Sequence, residues 1–314
     1  MKILVGYEPS EYSGVSVFDR LGDCTYRRYD RAYLEAHIAD FDIIVPHQFE
    51  KIDEELLAKS TALKIVATPS TGTDHLDIEA IRRRGLPLVT LNEDRAFINE
   101  ISSTAEMAWL LALACARKLP QLTARVRDER SWVNTDIRGM ELRGKTIGIV
   151  GLGRLGKIVS RYARAFGLTT IACDTDPKQF AGVEDVEEVS FDQLLERADI
   201  ISLHVKLNET SAHMINHEAV AKMKSGVIVV NTARGGVIDS GALLQGLADD
   251  IIGAVGLDVV NGEFQSTQLP VDPLVEASFT DPRIIITPHA GGSTHDAHAK
   301  VFGKVAELIE KIIN

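Results

Sequence analysis

The chain has 314 residues, 45% of them hydrophobic, with a formal net charge of −11 at pH 7. That length suits two domains with separate cores, and the apolar fraction is that of a globular protein rather than a disordered one. Asp and Glu are spread along the chain with no basic stripe to neutralise a phosphate backbone, which argues against a nucleic-acid partner, and no apolar run approaches the roughly 18 residues that span a bilayer.

The first third alternates strand and helix patterns. Lys2–Gly6, Thr25–Tyr29, Asp42–Pro46, Leu63–Thr68 and Leu86–Leu91 read as strands. Arg31–Ala39, Asp53–Ser60 and Leu76–Arg84 read as the helices between them. Strands alternating with helices imply parallel βαβ units and an open twisted sheet. Ser102–Lys118 then reads as a long helix, apolar on most faces and therefore buried, with Ser102 or Ser103 as N-cap and Pro120 just past its end. A more polar segment with Trp132 leads to Gly144.

Lys145–Asp174 reads KTIGIVGLGRLGKIVSRYARAFGLTTIACD: a short apolar strand, three glycines, an amphipathic helix, a second strand and an acid. That order is what a dinucleotide-binding βαβ unit needs. Gly151 allows the tight turn, Gly153 lets backbone approach a pyrophosphate, and Gly156 lets helix and sheet pack closely. The helix N-terminus offers unpaired N–H groups to phosphates. Asp174, about 20 residues on, can accept from both ribose hydroxyls and would repel a 2′-phosphate, so the cofactor expected is NAD rather than NADP.

Alternation resumes beyond Asp174. Helices are expected at Val189–Arg197, His217–Lys224 and, capped by Asp239, up to Ala248. Strands are expected at Asp199–His204, Gly226–Asn231, Ile251–Val259 and Ile284–Thr287, and a final helix over Thr294–Ile313. Ligands of open α/β sheets bind beyond the carboxyl ends of strands, and three polar residues stand there. Arg234, in NTARGGVID, carries a permanent charge that grips a carboxylate bidentately. Glu263 follows GLDVV, and His289, in TPHAGG, is of the residue type suited to proton transfer. Together they meet the needs of reducing a 2-oxo acid. His289 can donate the proton to the new alkoxide and take it back in the reverse direction. Glu263 can hold the imidazole in one tautomer and favour its cation. Arg234 can bind the carboxylate and polarise the carbonyl.

The series GLGRLG, NTARGGVID, GLDVVNGE and TPHAGGST, in that order, resembles the NAD-dependent D-isomer-specific 2-hydroxyacid dehydrogenases over nearly the whole length. The resemblance implies that Arg234 binds and polarises substrate, and that Glu263 pairs with His289. It puts Asp258 near the nicotinamide carboxamide, Thr104 near the nicotinamide and its phosphate, and Arg154 and Leu155 at the pyrophosphate. It extends cofactor contact to His204, Thr232, Ala233, Arg234, His289 and Gly291. It gives the substrate carboxylate to the backbone of Ser70, Thr71 and Gly72, with Arg234 and His289. The implied fold is α/β with two open parallel sheets, a flavodoxin-like substrate domain and a Rossmann NAD-binding domain. The substrate domain is expected to be discontinuous, residues 1–98 and 293–314, around an NAD domain of 99–292, with the active site in a hinged cleft that closes over substrate. A homodimer is the expected assembly.

Three places depart from the family pattern: Lys206 in HVKL, Phe264 with a long Gln265–Phe279 segment, and Asn92-Glu93-Asp94 in place of an Asn-x-Pro turn. Residues after the early strands, Tyr7, Glu8, Tyr12, His47, Gln48 and Phe49, are the candidates for substrate selectivity, and they do not demand a phosphorylated substrate. The alternatives are an NAD(H)-sensing corepressor-like module on the same fold, which the absence of long disordered tails disfavours, and formate oxidation, for which no specialised small-anion pocket is evident. Cys24, Cys115 and Cys173 have no metal-ligand spacing, no metal is expected, and Cys115 and Cys173 read as buried thiols. The chain opens on the strand-like KILVG without signal-peptide features, and no regulatory module is expected after the last helix. The expected location is the cytoplasm.

Overall fold

The computed structural model describes residues 1–263 and 268–314 of the chain. These fall into two compact units: Met1–Ile101 with Gly292–Asn314, and Ser102–Glu263 with Gln268–Gly291.

The first unit is built on a five-stranded parallel sheet: β1 (Lys2–Val5), β2 (Asp23–Tyr26), β3 (Ile43–Val45), β4 (Ile65–Ala67) and β5 (Leu88–Val89). The order across the sheet is β2-β1-β3-β4-β5. Successive side chains point to opposite faces, and both faces are covered, so the strands are continuous apolar runs. Ile3, Val5, Ile43, Val45 and Ile65 pack under Phe18 and under Phe302, Val305 and Ile309 of the final helix, His295–Ile313. Leu4, Ile44 and Val66 face Leu34, Leu56, Leu57 and Ile81 from the helices Arg31–His37, Glu54–Lys59 and Ile78–Arg83. Each such side chain, wholly buried, contributes ~1.5–3 kcal/mol of transfer free energy. Thr294 caps the final helix, its hydroxyl accepting from the Ala297 amide at 3.1 Å.

The second unit carries seven parallel strands: β6 (Thr146–Val150), β7 (Thr169–Cys173), β8 (Val186–Glu188), β9 (Ile200–Leu203), β10 (Val227–Asn231), β11 (Ile252–Leu257) and β12 (Ile284–Ile286). They run β12-β11-β10-β9-β6-β7-β8. The chain leaves β6 towards β7 and β8 and then returns to build the other half from β9. The crevice between β6 and β9 is therefore a topological switch point. The first sheet has its own, between β1 and β3. The helix Ser103–Ala116 lies on the second sheet so closely that a Cβ on Gly256 would come within 2.8 Å of Leu111 Cβ.

The α/β architecture is the expected one, with differences in detail. The second strand spans Asp23–Tyr26 rather than Thr25–Tyr29, because Asp23 through Tyr26 pair with Lys2 through Val5 and Arg27 lies past the ladder. Pro120 does not end the helical region. Lys118 takes a left-handed turn (φ 51°) that stops one helix, and a second, Leu119–Arg127, starts with Pro120 in its first turn, where a missing N–H costs nothing. The edge strand β8 carries glutamates with no apolar period to announce it. Val15–Leu21 forms a 3-10 turn that buries Val15, Phe18 and Leu21. Cys115 is buried, and burial pushes its thiol up to about 12. Cys173 is only half-buried, because it ends β7 at the rim beside Asp174. Phe264 and the start of the Gln265–Phe279 segment lie outside the described residues; Pro273–Ser278 is helical. Lys206 is exposed, and Leu91–Glu93 forms a 3-10 turn.

Candidate active site

The glycine turn follows β6. Gly151 has φ 91°, and its amide donates to the Cys173 carbonyl at 2.9 Å, which draws the turn towards the end of β7. A Cβ on Gly156 would stand 2.3 Å from the Gly151 carbonyl oxygen, so only glycine lets the helix Arg154–Ala165 start this close to the strand. A Cβ on Gly153 would meet nothing within 4 Å, leaving open space in front of the helix N-terminus. Asp174 is fixed by backbone: its carboxylate accepts from the Leu152 amide at 2.8 Å and from the Asp176 amide at 2.9 Å. Arg154 opens the helix, and partial burial lowers its guanidinium from the ordinary value.

Across the switch point, His204 follows β9. Its Nε2 lies 2.9 Å from Ser202 Oγ, and burial pushes its imidazole down to about 4, so the ring is neutral at pH 7. Among the described residues, His204 Nδ1 and Thr232 Oγ1 are buried without a hydrogen-bond partner. Two orphaned polar atoms at neighbouring strand ends, an open Gly153 and a helix N-terminus fit a polar, anionic ligand, as a dinucleotide is.

The acid–base residues stand on β10, β11 and β12, three adjacent strands. After β10, the wholly buried Asn231 shapes the turn: its Nδ2 donates to the Arg234 carbonyl and its Oδ1 accepts from the Ala233 amide, both at 2.9 Å. Arg234 itself is half-buried, with Nη1 donating to the Ala233 carbonyl at 2.7 Å. A Cβ on Gly235 would fall 2.1 Å from the Val260 carbonyl carbon, so the turns after β10 and β11 meet only because residue 235 is glycine.

Asp258, 2% exposed after β11, holds the segment after β12. Its Oδ1 accepts from the Thr287 hydroxyl and from the Ala290 amide at 2.8 Å, and its Oδ2 accepts from the Gly291 amide at 2.8 Å. Its backbone carbonyl accepts from the His289 amide at 2.9 Å. His289 is thereby held in a left-handed conformation (φ 50°), costly for a histidine and sustained by these bonds. The carboxylate has about four acceptor positions, so roughly one is left for a further donor. His289 Nδ1 lies 3.1 Å from Oε1 of Glu263, with side chains 23% and 11% exposed. Glu263 Oε2 also takes the Val260 amide at 3.4 Å. Thr104, in the first turn of the helix Ser103–Ala116, lies against Gly291, where a Cβ would stand 3.3 Å from Thr104 Cγ2.

In the first unit, the loop after β4 is braced from within. Thr68 Oγ1 lies 3.1 Å from Ser70 Oγ, the Ser70 hydroxyl donates to the Gly72 carbonyl, and Asn92 Nδ2 donates to the Thr71 carbonyl at 2.9 Å. Among the described residues the backbone amides of Ser70, Thr71 and Gly72 donate no hydrogen bond, and the loop is partly exposed. Asn231, and the several-fold hold of Asp258 on the TPHAGG turn, are absent from the reading of the sequence. A buried asparagine just before an expected arginine turn was the available signal.

Residues 109–291 match the family model described as D-isomer specific 2-hydroxyacid dehydrogenase, NAD binding domain. The chain belongs to that family. It is an NAD-dependent D-2-hydroxyacid dehydrogenase in class, and the glycine turn and Asp174 lie within its NAD-binding domain. It is 36% identical to a hydroxypyruvate reductase of Thermotoga maritima over 290 residues, 92% of this chain and 90% of that one. It is 37% identical to a D-3-phosphoglycerate dehydrogenase of Mycobacterium bovis over 282 residues, 89% of this chain and 51% of that one. The chain thus spans about half of the phosphoglycerate dehydrogenases it matches. A crystal structure of D-lactate dehydrogenase from Aquifex aeolicus with NAD and lactic acid aligns at a TM-score of 0.85 and 25% identity, covering 100% of this chain and 95% of that one. Among the described residues no helix is long and apolar enough to cross a membrane, and no group of His, Cys, Asp or Glu is arranged to hold a metal ion.

Proposed function

We propose that this chain reversibly interconverts a small 2-oxo acid and the D-2-hydroxy acid with NAD(H), using His289, Glu263 and Arg234. The observation that carries the reading is the His289–Glu263 pair, 3.1 Å apart, on strand ends next to that of Arg234. NAD(H) supplies or accepts the hydride. Glu263 occupies the Nδ1 side of His289, which leaves Nε2 to donate the proton to the carbonyl oxygen in reduction and to remove it in oxidation. Glu263 keeps the ring oriented and stabilises the imidazolium that forms in oxidation. The Arg234 guanidinium grips the carboxylate and stabilises charge growing on the carbonyl oxygen. The unspent amides of Ser70, Thr71 and Gly72 give the carboxylate a second hold. Thr104, Arg154, Leu155, Asp174, His204, Thr232, Ala233, Asp258 and Gly291 form the cofactor wall in this reading. The spare acceptor of Asp258 suits an amide N–H₂. The two units, with bounds near residues 98 and 293, serve as substrate and cofactor domains.

The assembly we infer is a homodimer through the apolar side chains exposed on Leu110, Leu119, Val126, Trp132 and Val133. Unpaired thiols at Cys24, Cys115 and Cys173 suit a reducing cytoplasm.

The test is NADH oxidation with glyoxylate, hydroxypyruvate, pyruvate and branched and aromatic 2-oxo acids. We expect turnover of a subset, and His289→Ala to lose about 10²–10⁴-fold in kcat while keeping NADH affinity. Turnover of none would refute the reading. Equal loss of NADH affinity in His289→Ala would make that residue a cofactor or folding residue instead.

A further inference from the structure

The reductase reading leaves one buried carboxylate of the second unit without a task. Asp272 lies in the segment after Glu263 that departs from the family pattern, and it is 4% exposed. Among the described residues no cation pairs with it. A buried charge without a counter-charge is costly and persists only where donors fill its oxygens. Asp272 has three donors. Its Oδ1 accepts from the Leu274 amide at 2.8 Å, which caps the helix Pro273–Ser278. Its Oδ2 accepts from the Ser240 hydroxyl at 2.8 Å and from the Asn261 amide at 3.3 Å. Asn261 Nδ2 donates in turn to Ser240 Oγ at 3.3 Å, which closes a triangle. A serine or asparagine caps a helix as well as an aspartate does, without the desolvation of a charge. Capping alone therefore does not account for a carboxylate at residue 272. The second oxygen, spent on Ser240 and Asn261, does.

What these bonds hold is the turn that carries Glu263. The peptide between Val260 and Asn261 is gripped from two sides. Gly235, in the turn after β10, presses on it so closely that a Cβ there would stand 2.5 Å from the Asn261 nitrogen. Asp272 accepts the hydrogen bond of that same nitrogen. Gly262 then turns the chain with φ 76°. The Glu263 carboxylate folds back, so that Oε2 meets the Val260 amide at 3.4 Å while Oε1 faces His289 Nδ1 at 3.1 Å. Glu263 is thus tied to its own turn by one long bond, and the placing of the turn falls to Asp272 and Ser240. Ser240 opens the helix Ser240–Ala248, which follows the Arg234 turn. The triangle therefore locks the turn after β10 to the turn after β11.

We propose that Asp272, with Ser240, is a positioning residue for the acid–base pair: by fixing the Asn261 amide it sets the Glu263 carboxylate at hydrogen-bonding distance from His289 Nδ1. The proposal rests on the His289–Glu263 reading above and adds to it a residue that acts through Glu263.

The test is a pair of variants, each made alone and in a Glu263→Gln background. Both are assayed for NADH oxidation with the 2-oxo acid of the panel above that wild type reduces fastest. Asp272→Ser keeps a cap for Leu274 but is too short to reach Asn261. Ser240→Ala removes the hydroxyl and leaves Asp272 in place. Asp272→Ser should lower kcat about tenfold and Ser240→Ala about threefold, with KM for NADH and for the 2-oxo acid within about twofold. Glu263→Gln alone should lose at least about tenfold in kcat. On that background Asp272→Ser and Ser240→Ala should each change kcat by less than about twofold, since the group they place is gone. Losses that multiply in the double variants overturn the proposal, because they mark a role independent of Glu263. A kcat within about twofold of wild type in both single variants overturns it too. If Asp272→Ser does not fold, Ser240→Ala and its double variant decide alone. A Glu263→Gln enzyme as active as wild type refutes the acid–base reading and the proposal with it, as does turnover of none of the acids.

Discussion

At the residue scale, the site depends on carboxylates whose oxygens are occupied by backbone. Asp258 accepts from Ala290 and Gly291, and Asp174 from Leu152 and Asp176. Each carboxylate is thereby aimed before any ligand arrives, which lowers the ordering cost of binding. Asp174 stands at the end of β7 next to the glycine turn. In the cofactor wall proposed above, it would accept from two ribose hydroxyls and oppose a 2′-phosphate. Asp174→Ala should weaken NADH binding and leave NADPH binding unchanged or stronger, so the NADH/NADPH ratio of kcat/KM should fall by at least about tenfold. An unchanged ratio would reject the ribose role. The positions of Arg234, Glu263 and His289 were legible in the sequence because each follows an apolar run that could only be a strand. The hold of Asp258 on Thr287, Ala290 and Gly291 was not, because it joins residues about thirty apart through a turn whose shape no local pattern states.

At the element scale, the helix Ser103–Ala116 is buried on most of its surface, as its all-apolar sequence requires, yet Leu110 on it is 53% exposed. The segment after it reads in the sequence only as more polar, with Pro120 just past the helix end. It instead holds the helix Leu119–Arg127, missed because Pro120 reads as a stop when the preceding left-handed Lys118 is not visible in the sequence. That segment exposes Leu119, Val126, Trp132 and Val133, with Trp132 91% exposed. Leaving a tryptophan in water forgoes ~2–3 kcal/mol of burial, which a partner surface recovers. In the homodimer proposed above, a second copy is that partner. Trp132→Ala with Val133→Ser should therefore shift the chain from dimer towards monomer, raising the dissociation constant by about 100-fold or more in sedimentation. A wild-type chain that sediments as a monomer at micromolar concentration would end that assignment.

At the scale of the whole molecule, the alternation of strands and helices made two parallel sheets readable, and the glycine turn made one of them a dinucleotide sheet. The strand orders were not readable, because pairing of β1 with β3, or of β6 with β9, is a long-range choice. Those orders put His47 and His204 at the two switch points. Both imidazoles are held neutral in the fold, each pushed by burial down to about 4. In the unfolded chain they titrate near 6.5. As pH falls below about 6.5 the unfolded state takes up protons that the folded state refuses. The stability these residues give is thus complete above the unfolded value and drains away towards pH 4. Between pH 7 and pH 5 each loses at most about 2 kcal/mol, less to the extent that water reaches the ring. His204→Gln keeps a polar side chain beside Ser202 but cannot titrate. In urea unfolding at the two pH values, its midpoint should fall less between pH 7 and pH 5 than that of wild type. Equal falls would mean that His204 protonates in the folded state as readily as in the unfolded one, and that its burial is not what keeps this switch point uncharged.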